Sequence, residues 1–499
     1  MAKYVLGLDL GTSSAHCLLV GPKGRVAAAA DVPMEYYPPA GGATLAREFR
    51  PSEVLQNLGR AVTKVCREAQ ASPHDIASIG ITSQGQGTVL LDRDGRELYC
   101  GPNIDLRAVF QGAELDEVSG PEIYRTTGHF PSLMFAPARV NWFRSHQPEV
   151  LDKASRLLSI AGWLGYRLTG QVAATEGLDC ELGLIDLATR KHAHCLLEKL
   201  DFPVKLLPPL TKAGQAIGSL AAGLAEQWGL PAGIPVTLAD SDSRCGLLGM
   251  GLALDKDAGA VLGWSASVQM LTDGPRLDLD CRSTWAGCYP IGRLYTVDAK
   301  LGDAGHAFDW LVRIIGGGQL SHQAADHLAG EAPRGCDGVA CFLGPGPKTA
   351  PQAGLGLGGV FLPTPVTYHE PTPAHIFRGY FESVAYSIKS NLAAVAEVAG
   401  QPATALYLGG GMARSDVLAT VLPDVLGIPV NRSLQPQVSA LGAASAAWVS
   451  AGMYSCMEES VSQQSHEFQE QLPEPGHSAE YQEYYQDWLE LYRRLSPEA

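Results

Sequence analysis

The sequence predicts an α/β protein made of two halves that begin alike, and three observations carry that reading. The chain has 499 residues, too many for one hydrophobic core and suited to two domains of roughly 200 residues each. It opens with apolar runs of strand length separated by glycine turns, followed by helical spacing. The same opening restarts near residue 257. Hydrophobic residues make up 46% and charged residues 18%, a globular composition with little room for a long disordered segment. Lys+Arg 37 against Asp+Glu 52 gives a net charge of −15, which leaves no broad basic face for nucleic acid.

The first elements read as a meander: Tyr4–Leu10, then Gly11–Ser14, then Ala15–Val20, a Gly-Pro-Lys-Gly turn, and Arg25–Ala30. Val54, Leu55, Leu58, Ala61, Val62 and Val65 then recur at three and four, so Pro51–Ala71 is expected as a helix. Ile76–Thr82 and Thr88 onward are strands. Pro235–Ala239 is a strand followed by an Asp/Ser turn and the small-residue segment Cys245–Gly251, and Asp257–Thr272 repeats strand, small turn and strand. Leu343–Gly359 is a Gly/Pro-rich loop, Ile376–Ala399 a long helix, Ala405–Leu408 a strand and Val417–Leu426 a helix. The expected division is 1–244, 245–457 and a helical tail over 458–499. No signal-peptide pattern opens the chain, and no apolar run reaches the ~18 residues of a membrane span. Eleven cysteines without a CxxC pair suit a reducing compartment. A cytoplasmic protein with no membrane partner is expected, and a homodimer is compatible with the sequence.

Three segments carry chemistry. Asp9-Leu-Gly-Thr-Ser-Ser14 ends a strand in a tight turn, where glycine lets the backbone approach an anion and Thr12, Ser13 and Ser14 add donors. A carboxylate beside such a nest repels phosphate unless a cation lies between, so Asp9 implies Mg²⁺; the competing reading is an ordinary hairpin. Leu262-Gly-Trp-Ser-Ala-Ser267 repeats the turn without the acid. Asp240-Ser-Asp242 follows a strand and could place one carboxylate in a cleft as a general base, the other being a helix cap. Gly409-Gly-Gly411 could let a nucleotide lie against bare backbone. A phosphate-binding GxxxxGK[ST] loop is excluded because Pro347 stands where glycine is needed, and no GxGxxG joins a strand to a helix. His192 and His194 have no partner cluster for a metal.

Together these pieces resemble the FGGY carbohydrate kinases. The resemblance runs from Tyr4 to about Ala447 through Gly7–Ser14, Ile79–Gly87, Asn103–Ala108, Tyr124–Gly128, Leu168–Gly170, Asp242, Gly263–Ser265, Phe377–Glu382, Gly409–Ser415 and Ser439–Ala444. It implies two actin-like (ribonuclease H-like) domains enclosing ATP, Mg²⁺ and a small sugar or polyol. Residues 1–244 would hold the sugar and the first phosphate turn, and 245–457 the nucleotide. By the same resemblance Asp242 is the general base and Asp9 the metal-associated acid. Thr12, Ser13, Ser14, Gly263 and Ser265 contact phosphate, and Gly409, Gly410, Gly411 and Ser415 form the adenosine loop. Substrate contacts fall on Gln84, Gln86, Asp105, Arg107 and Asp242.

The chain departs from that pattern in places. Gly85-Gln86 stands where xylulokinases resemble Met-His and glycerol kinases Arg-Glu, Met134 stands near the aromatic substrate contact, and Trp264 replaces the usual Thr of the second turn. Gln86 brings no charge, which favours a neutral sugar or polyol over a sugar acid, whereas Arg107 pulls the other way unless Asp105 neutralises it. Asn103–Ala108 resembles the autoinducer kinases of the family more than the xylulokinases, and the expected substrate is a ketopentose such as xylulose or a similar polyhydroxylated carbonyl compound. The alternative is a non-catalytic sugar or nucleotide sensor, or an actin-like ATPase, favoured by a bulky Trp264 in a phosphate turn.

Overall fold

The computed structural model describes residues 3–39, 45–347, 358–364 and 370–495. The strand Tyr4–Leu10 lies inside a six-stranded sheet. On one side Ser14–Val20 and Val26–Pro33 continue from it as an antiparallel meander. On the other, Ile76–Ser83 and Pro235–Ser241 run parallel to it, with Ala216–Ser219 antiparallel at the edge. Parallel neighbours cannot be joined by a hairpin. The helix Pro51–Glu68 supplies the first crossover, and its apolar stripe, Val54 to Val65, is buried.

The second sheet repeats this plan. Ala258–Leu262 is its inner strand; Ala266–Thr272, Tyr295–Gly302 and Trp285–Cys288 are antiparallel on one side, and Leu406–Gly409 and Val430–Ser433 parallel on the other. The long helix Pro373–Ala399 covers it, burying Phe377, Tyr380, Phe381 and Val384. The expected restart at residue 257 is therefore a repeat of topology, and the molecule consists of two actin-like domains. A smaller sheet of Thr88–Leu91, Glu97–Gly101 and Arg156–Ser159 builds a separate core around Tyr99, Trp142 and Phe143.

The halves meet through two helices, Asp242–Gly249 and Val438–Ser450, which cross each other, while the second also lies on strands Tyr4–Leu10 and Ile76–Ser83. The Ala/Gly/Ser composition of this helix allows close approach. A Cβ at Gly7 would overlap the Ala440 carbonyl, one at Gly80 the Ala443 carbonyl, one at Gly249 the Val438 carbonyl and one at Gly442 the Cys245 carbonyl. The glycines are needed here for backbone-to-backbone contact.

Two expectations change. A boundary after residue 244 falls inside the helix Asp242–Gly249, so the chain leaves the first sheet by the helix that packs the joint. The segment after 457 is also more than a helical tail. Its Phe468–Gln471 strand pairs antiparallel with Val430–Ser433, and its last helix, Pro475–Leu495, buries Tyr481, Tyr485 and Trp488 in the second core. The loop expected over Leu343–Gly359 lies partly outside the described residues. Its described flanks, Ala340–Phe342 and Gly359–Phe361, pair as short strands.

Gly80→Ala should lower stability in urea denaturation by about 1–3 kcal/mol or more, the range of overpacking. Gly223→Ala, in a helix with nothing within 4 Å of the added carbon, should be neutral or stabilising.

Candidate active site

Three parallel strands of the first sheet end together, as ligand-binding crevices of α/β sheets require. Tyr4–Leu10 presents Asp9, Ile76–Ser83 leads into Gln84–Gln86, and Pro235–Ser241 ends at Asp240 and Asp242. Asp9 is buried, and its Oδ1 has no hydrogen-bond partner. Burial raises its pKa to about 6, against the opposing pull of His16. Asp242 occupies the first position of its helix, and its Oδ1 accepts from the Ser243 amide at 2.7 Å. Burial first, and then the charge of Asp9, raise its carboxyl to about 7, with Lys300 pulling it back.

Asp240 is different. It is 1% exposed, Gly177 is packed against its carboxylate, and it accepts from the Ser241 amide at 2.7 Å. Burial also raises it to about 6, but it is enclosed by protein. The helix cap is Ser241, without a side-chain bond, so neither acid is a cap.

The first phosphate turn is organised by residues that the sequence reading left aside. Thr12 Oγ1 accepts from Asn103 Nδ2 at 2.9 Å, and Ser13 is exposed. Ser14 Oγ lies 3.2 Å from His16 Nε2, and His16 Nδ1 lies 2.7 Å from Asp31 Oδ1. Burial opposes a charge on His16, yet the Asp31 bond and the Asp9 charge hold its pKa above the ordinary value. In the second turn Gly263 and Ser265 are exposed, and Trp264 is stacked on His306 with ring centroids 3.9 Å apart. Gly410 has φ +98° and fits against the Leu262 backbone, Gly409 packs on Met250 and Val438, and Gly411 has open space above it.

Four expected contacts are committed elsewhere. Ser415 caps the helix Asp416–Leu426 through the Leu418 amide and donates to Asp326, so its hydroxyl is structural. Gln84, 1% exposed, donates from Nε2 to Gly11 O and Tyr36 Oη and accepts from the Asn103 amide, tying the first turn to the pocket wall. Asp105 and Arg107 form a buried pair at 2.7 Å. Asp105 also accepts from Tyr99 and the Arg47 amide, and Arg107 reaches Glu48 at 2.7 Å. The pair is thus tied to the small sheet through Tyr99.

Gln86 is buried at a left-handed φ of 57° and donates to Glu181. Gly85 is needed because a Cβ there would crowd Glu181. Glu181 forms an ion pair with Arg244 at 2.8 Å. Burial works against the charge of Glu181, but Lys300, Arg244 and His129 together hold its pKa below the ordinary value. Arg244 is fully buried, donates to Gly177 O and Thr296 Oγ1, and lies over Gly287, so it spans the two halves.

From the second sheet Lys300 Nζ comes within 3.5 Å of Ser243 Oγ, 3.7 Å of Asp298 Oδ1 and 5.4 Å of the Trp285 ring. His129 packs edge-on against Phe135 and at a tilt against Trp285. The alternation Thr296-Val-Asp298-Ala-Lys300 was the available signal for this wall, since a strand places alternate residues on one face.

Two glycine turns, a buried unpaired carboxylate and a raised acid at a helix start are features expected of a phosphotransferase on an actin-like fold. The comparisons agree. The description "FGGY family of carbohydrate kinases, N-terminal domain" matches residues 4–249, and its C-terminal counterpart matches 260–451. The chain belongs to the FGGY family of carbohydrate kinases. It is 26% identical over 514 residues to an autoinducer-2 kinase of Klebsiella pneumoniae subsp. pneumoniae, covering 98% of this chain and 93% of the relative. A ligand-bound xylulose kinase from Lactobacillus acidophilus has the same fold, with TM-score 0.85 and 18% identity over 99% of this chain and 98% of that one. The Plasmodium falciparum glycerol kinase with ADP gives TM-score 0.80 and 16% identity over 98% and 97%. Among the described residues no helix is long and apolar enough to cross a membrane.

A carboxyl raised from 3.8 to about 7 is charged in the folded state at pH 8 against its environment. Its contribution to stability is fully present below the unfolded pKa and is lost as pH rises through the folded one. Asp242→Asn should therefore raise the thermal midpoint of the ligand-free protein at pH 8. The gain should shrink as pH falls from 7 towards 4, as read by calorimetry across that range.

Proposed function

We infer that the protein transfers the γ-phosphoryl group of ATP to a hydroxyl of a small neutral sugar, most readily a ketopentose or a similar polyhydroxylated carbonyl compound. The observation that carries this reading is Asp242, a carboxyl raised to about 7 at the open start of a helix, because a general base works best with a pKa near the operating pH. Asp242 takes the proton of the acceptor hydroxyl on Oδ2, its Oδ1 being held by the Ser243 amide. The hydroxyl oxygen bonds to phosphorus as the bond to the ADP oxygen breaks. Thr12, Ser13, Ser14, Gly263 and Ser265 supply donors to the phosphates, and His16, held above its ordinary pKa by Asp31 and Asp9, supports the first turn through Ser14. Gly411 and the backbone around Gly410 form the floor for the adenosine.

The orphaned Asp9 Oδ1 fits a hydrated Mg²⁺, which needs only one or two protein carboxylates when phosphate and water complete its shell. Among the described residues no cluster of three or more His, Cys, Asp or Glu could cage a metal, in keeping with a cation that arrives with the nucleotide. When bound, the ion offsets the negative charge of the triphosphate. The neutral-substrate reading draws support from the pocket charges. Asp242, Asp240, Glu181 and Asp298 outnumber Lys300 and Arg244, which disfavours an added carboxylate. The Trp264 ring rests on His306, so the feature that favoured a sensor no longer argues for one. The boundary between sugar and nucleotide domains is best placed at the crossing helix Asp242–Gly249.

ADP release with ATP and Mg²⁺ should be stimulated by ketoses and by little else in a panel of ketopentoses, ketotetroses, polyols, sugar acids and dihydroxypentanedione. Asp242→Asn should lower turnover by about 10²–10⁴-fold, with nucleotide binding retained in titration calorimetry. Asp240→Asn should cost less, and the opposite order would move the base to Asp240.

A further inference from the structure

The strand Tyr295–Gly302 places Asp298 and Lys300 on one face of the second sheet, two residues apart, beside Gln269 and Trp285 of the neighbouring strands. Asp298 is fully buried, and neither of its carboxylate oxygens has a hydrogen-bond partner. Its compensation is the Lys300 ammonium at 3.7 Å, beyond hydrogen-bond distance. A buried carboxylate with two unfilled oxygens is expensive, and native proteins fill such positions with ligand, water or ion. Nearby, His129 is also fully buried; its Nδ1 is engaged by Thr127 O at 2.7 Å and its Nε2 has no partner. Lys300 reaches Ser243, the neighbour of the base. Lys300, whose charge also acts on the Asp242 carboxyl, thus links the unfilled Asp298 to the helix start that carries Asp242.

The chemistry of this set is directional. A carboxylate and a neutral imidazole nitrogen accept hydrogen bonds only, and an ammonium donates only. Hydroxyls satisfy the first two; against the third a hydroxyl also accepts but leaves its own proton without an acceptor, whereas a carbonyl oxygen carries no proton to leave unpaired. Resting on the kinase reading above, we propose that Lys300 and Asp298 are the specificity-determining pair of the acceptor site, Lys300 donating to a carbonyl oxygen and Asp298 accepting from the adjacent hydroxyl. The pair thus reads an α-hydroxycarbonyl unit, the feature that separates a ketose from its polyol. Recognition of the acceptor is shared between the halves, with Asp242 and Gln86 on one side and Lys300 and Asp298 on the other.

The test is kcat/KM of the full-length protein, with saturating ATP and Mg²⁺, for the pairs xylulose and xylitol, ribulose and ribitol, dihydroxyacetone and glycerol. The wild type should favour the ketose in its best pair by about 10-fold or more. Lys300→Met should lower the ketose value by about 10- to 100-fold, the effect of a lost charge-assisted hydrogen bond, and leave the polyol value within about threefold, the scatter expected for a contact that does not discriminate. Asp298→Asn should also narrow the ratio, and Lys300→Arg should restore part of the preference. A purely structural role would lower both values together and leave the ratio unchanged, and that result overturns the proposal. Equal use of ketose and polyol by the wild type overturns it while leaving the kinase reading intact. Absence of phosphorylation across all pairs, with Asp242→Asn indistinguishable from wild type, overturns both.

Discussion

The contact of glycine against helix backbone at the joint is the constraint on which the remaining structure depends. The helix Val438–Ser450 rests on two strands of the first sheet and on the helix Asp242–Gly249, with Gly7, Gly80, Gly249 and Gly442 each facing a main-chain carbonyl. Side chains larger than alanine at Ala440, Ala443 or Ala444 would push the halves apart. That spacing fixes where Pro235–Ser241 ends and hence where Asp240, Asp242 and Arg244 begin. The positions of both carboxyls and of the guanidinium that spans the halves follow from how closely two backbones meet.

Around that joint the protein gathers charge that a stability-optimised core would avoid. Asp9, Asp240 and Asp242 all sit above their ordinary pKa because burial disfavours their ionised forms. Arg244 and Lys300 offset part of this, and Arg244 does so while fully buried and bonded to both halves. Such arrangements are retained where reactivity is needed and are a recurrent source of lost stability. The buried pair Asp105–Arg107 is of another kind. Tyr99, Trp142 and Phe143 surround its guanidinium, and its role is to hold the small sheet in place.

Much of the architecture was legible because the two meanders and the parallel strands have strong apolar runs bounded by glycine turns. The placing of Asp9 and Asp242 at strand ends and of the two glycine turns beside strands was legible in the residue types. The direction in which a side chain points was not. Asp105 and Arg107 read as charges available to a ligand, yet a spacing of two residues equally suits a mutual ion pair. Ser415 read as a nucleotide contact, although Ser-Asp before an apolar run is also the signature of a helix cap. Glu181 and His129 were missed because they come from distant segments that only the fold brings together, and Arg244, two residues beyond Asp242, because nothing in its spacing shows that it reaches the second sheet. The terminal segment hid its role behind a polar composition, while Tyr481, Tyr485 and Trp488, at intervals of four and three, already formed a helical stripe.

The position of Asp242 has a mechanical consequence. It is carried on the helix about which the two halves are joined, whereas Lys300 stands on a strand of the opposite sheet. In any rotation of one half against the other, points on the pivot travel little and points away from it travel along arcs. Asp242 would thus be displaced least in such a rotation, and the strand that carries Lys300 more. Asp242 would keep a nearly constant bearing on the Gly11–Ser14 turn while the opposite wall changed its distance.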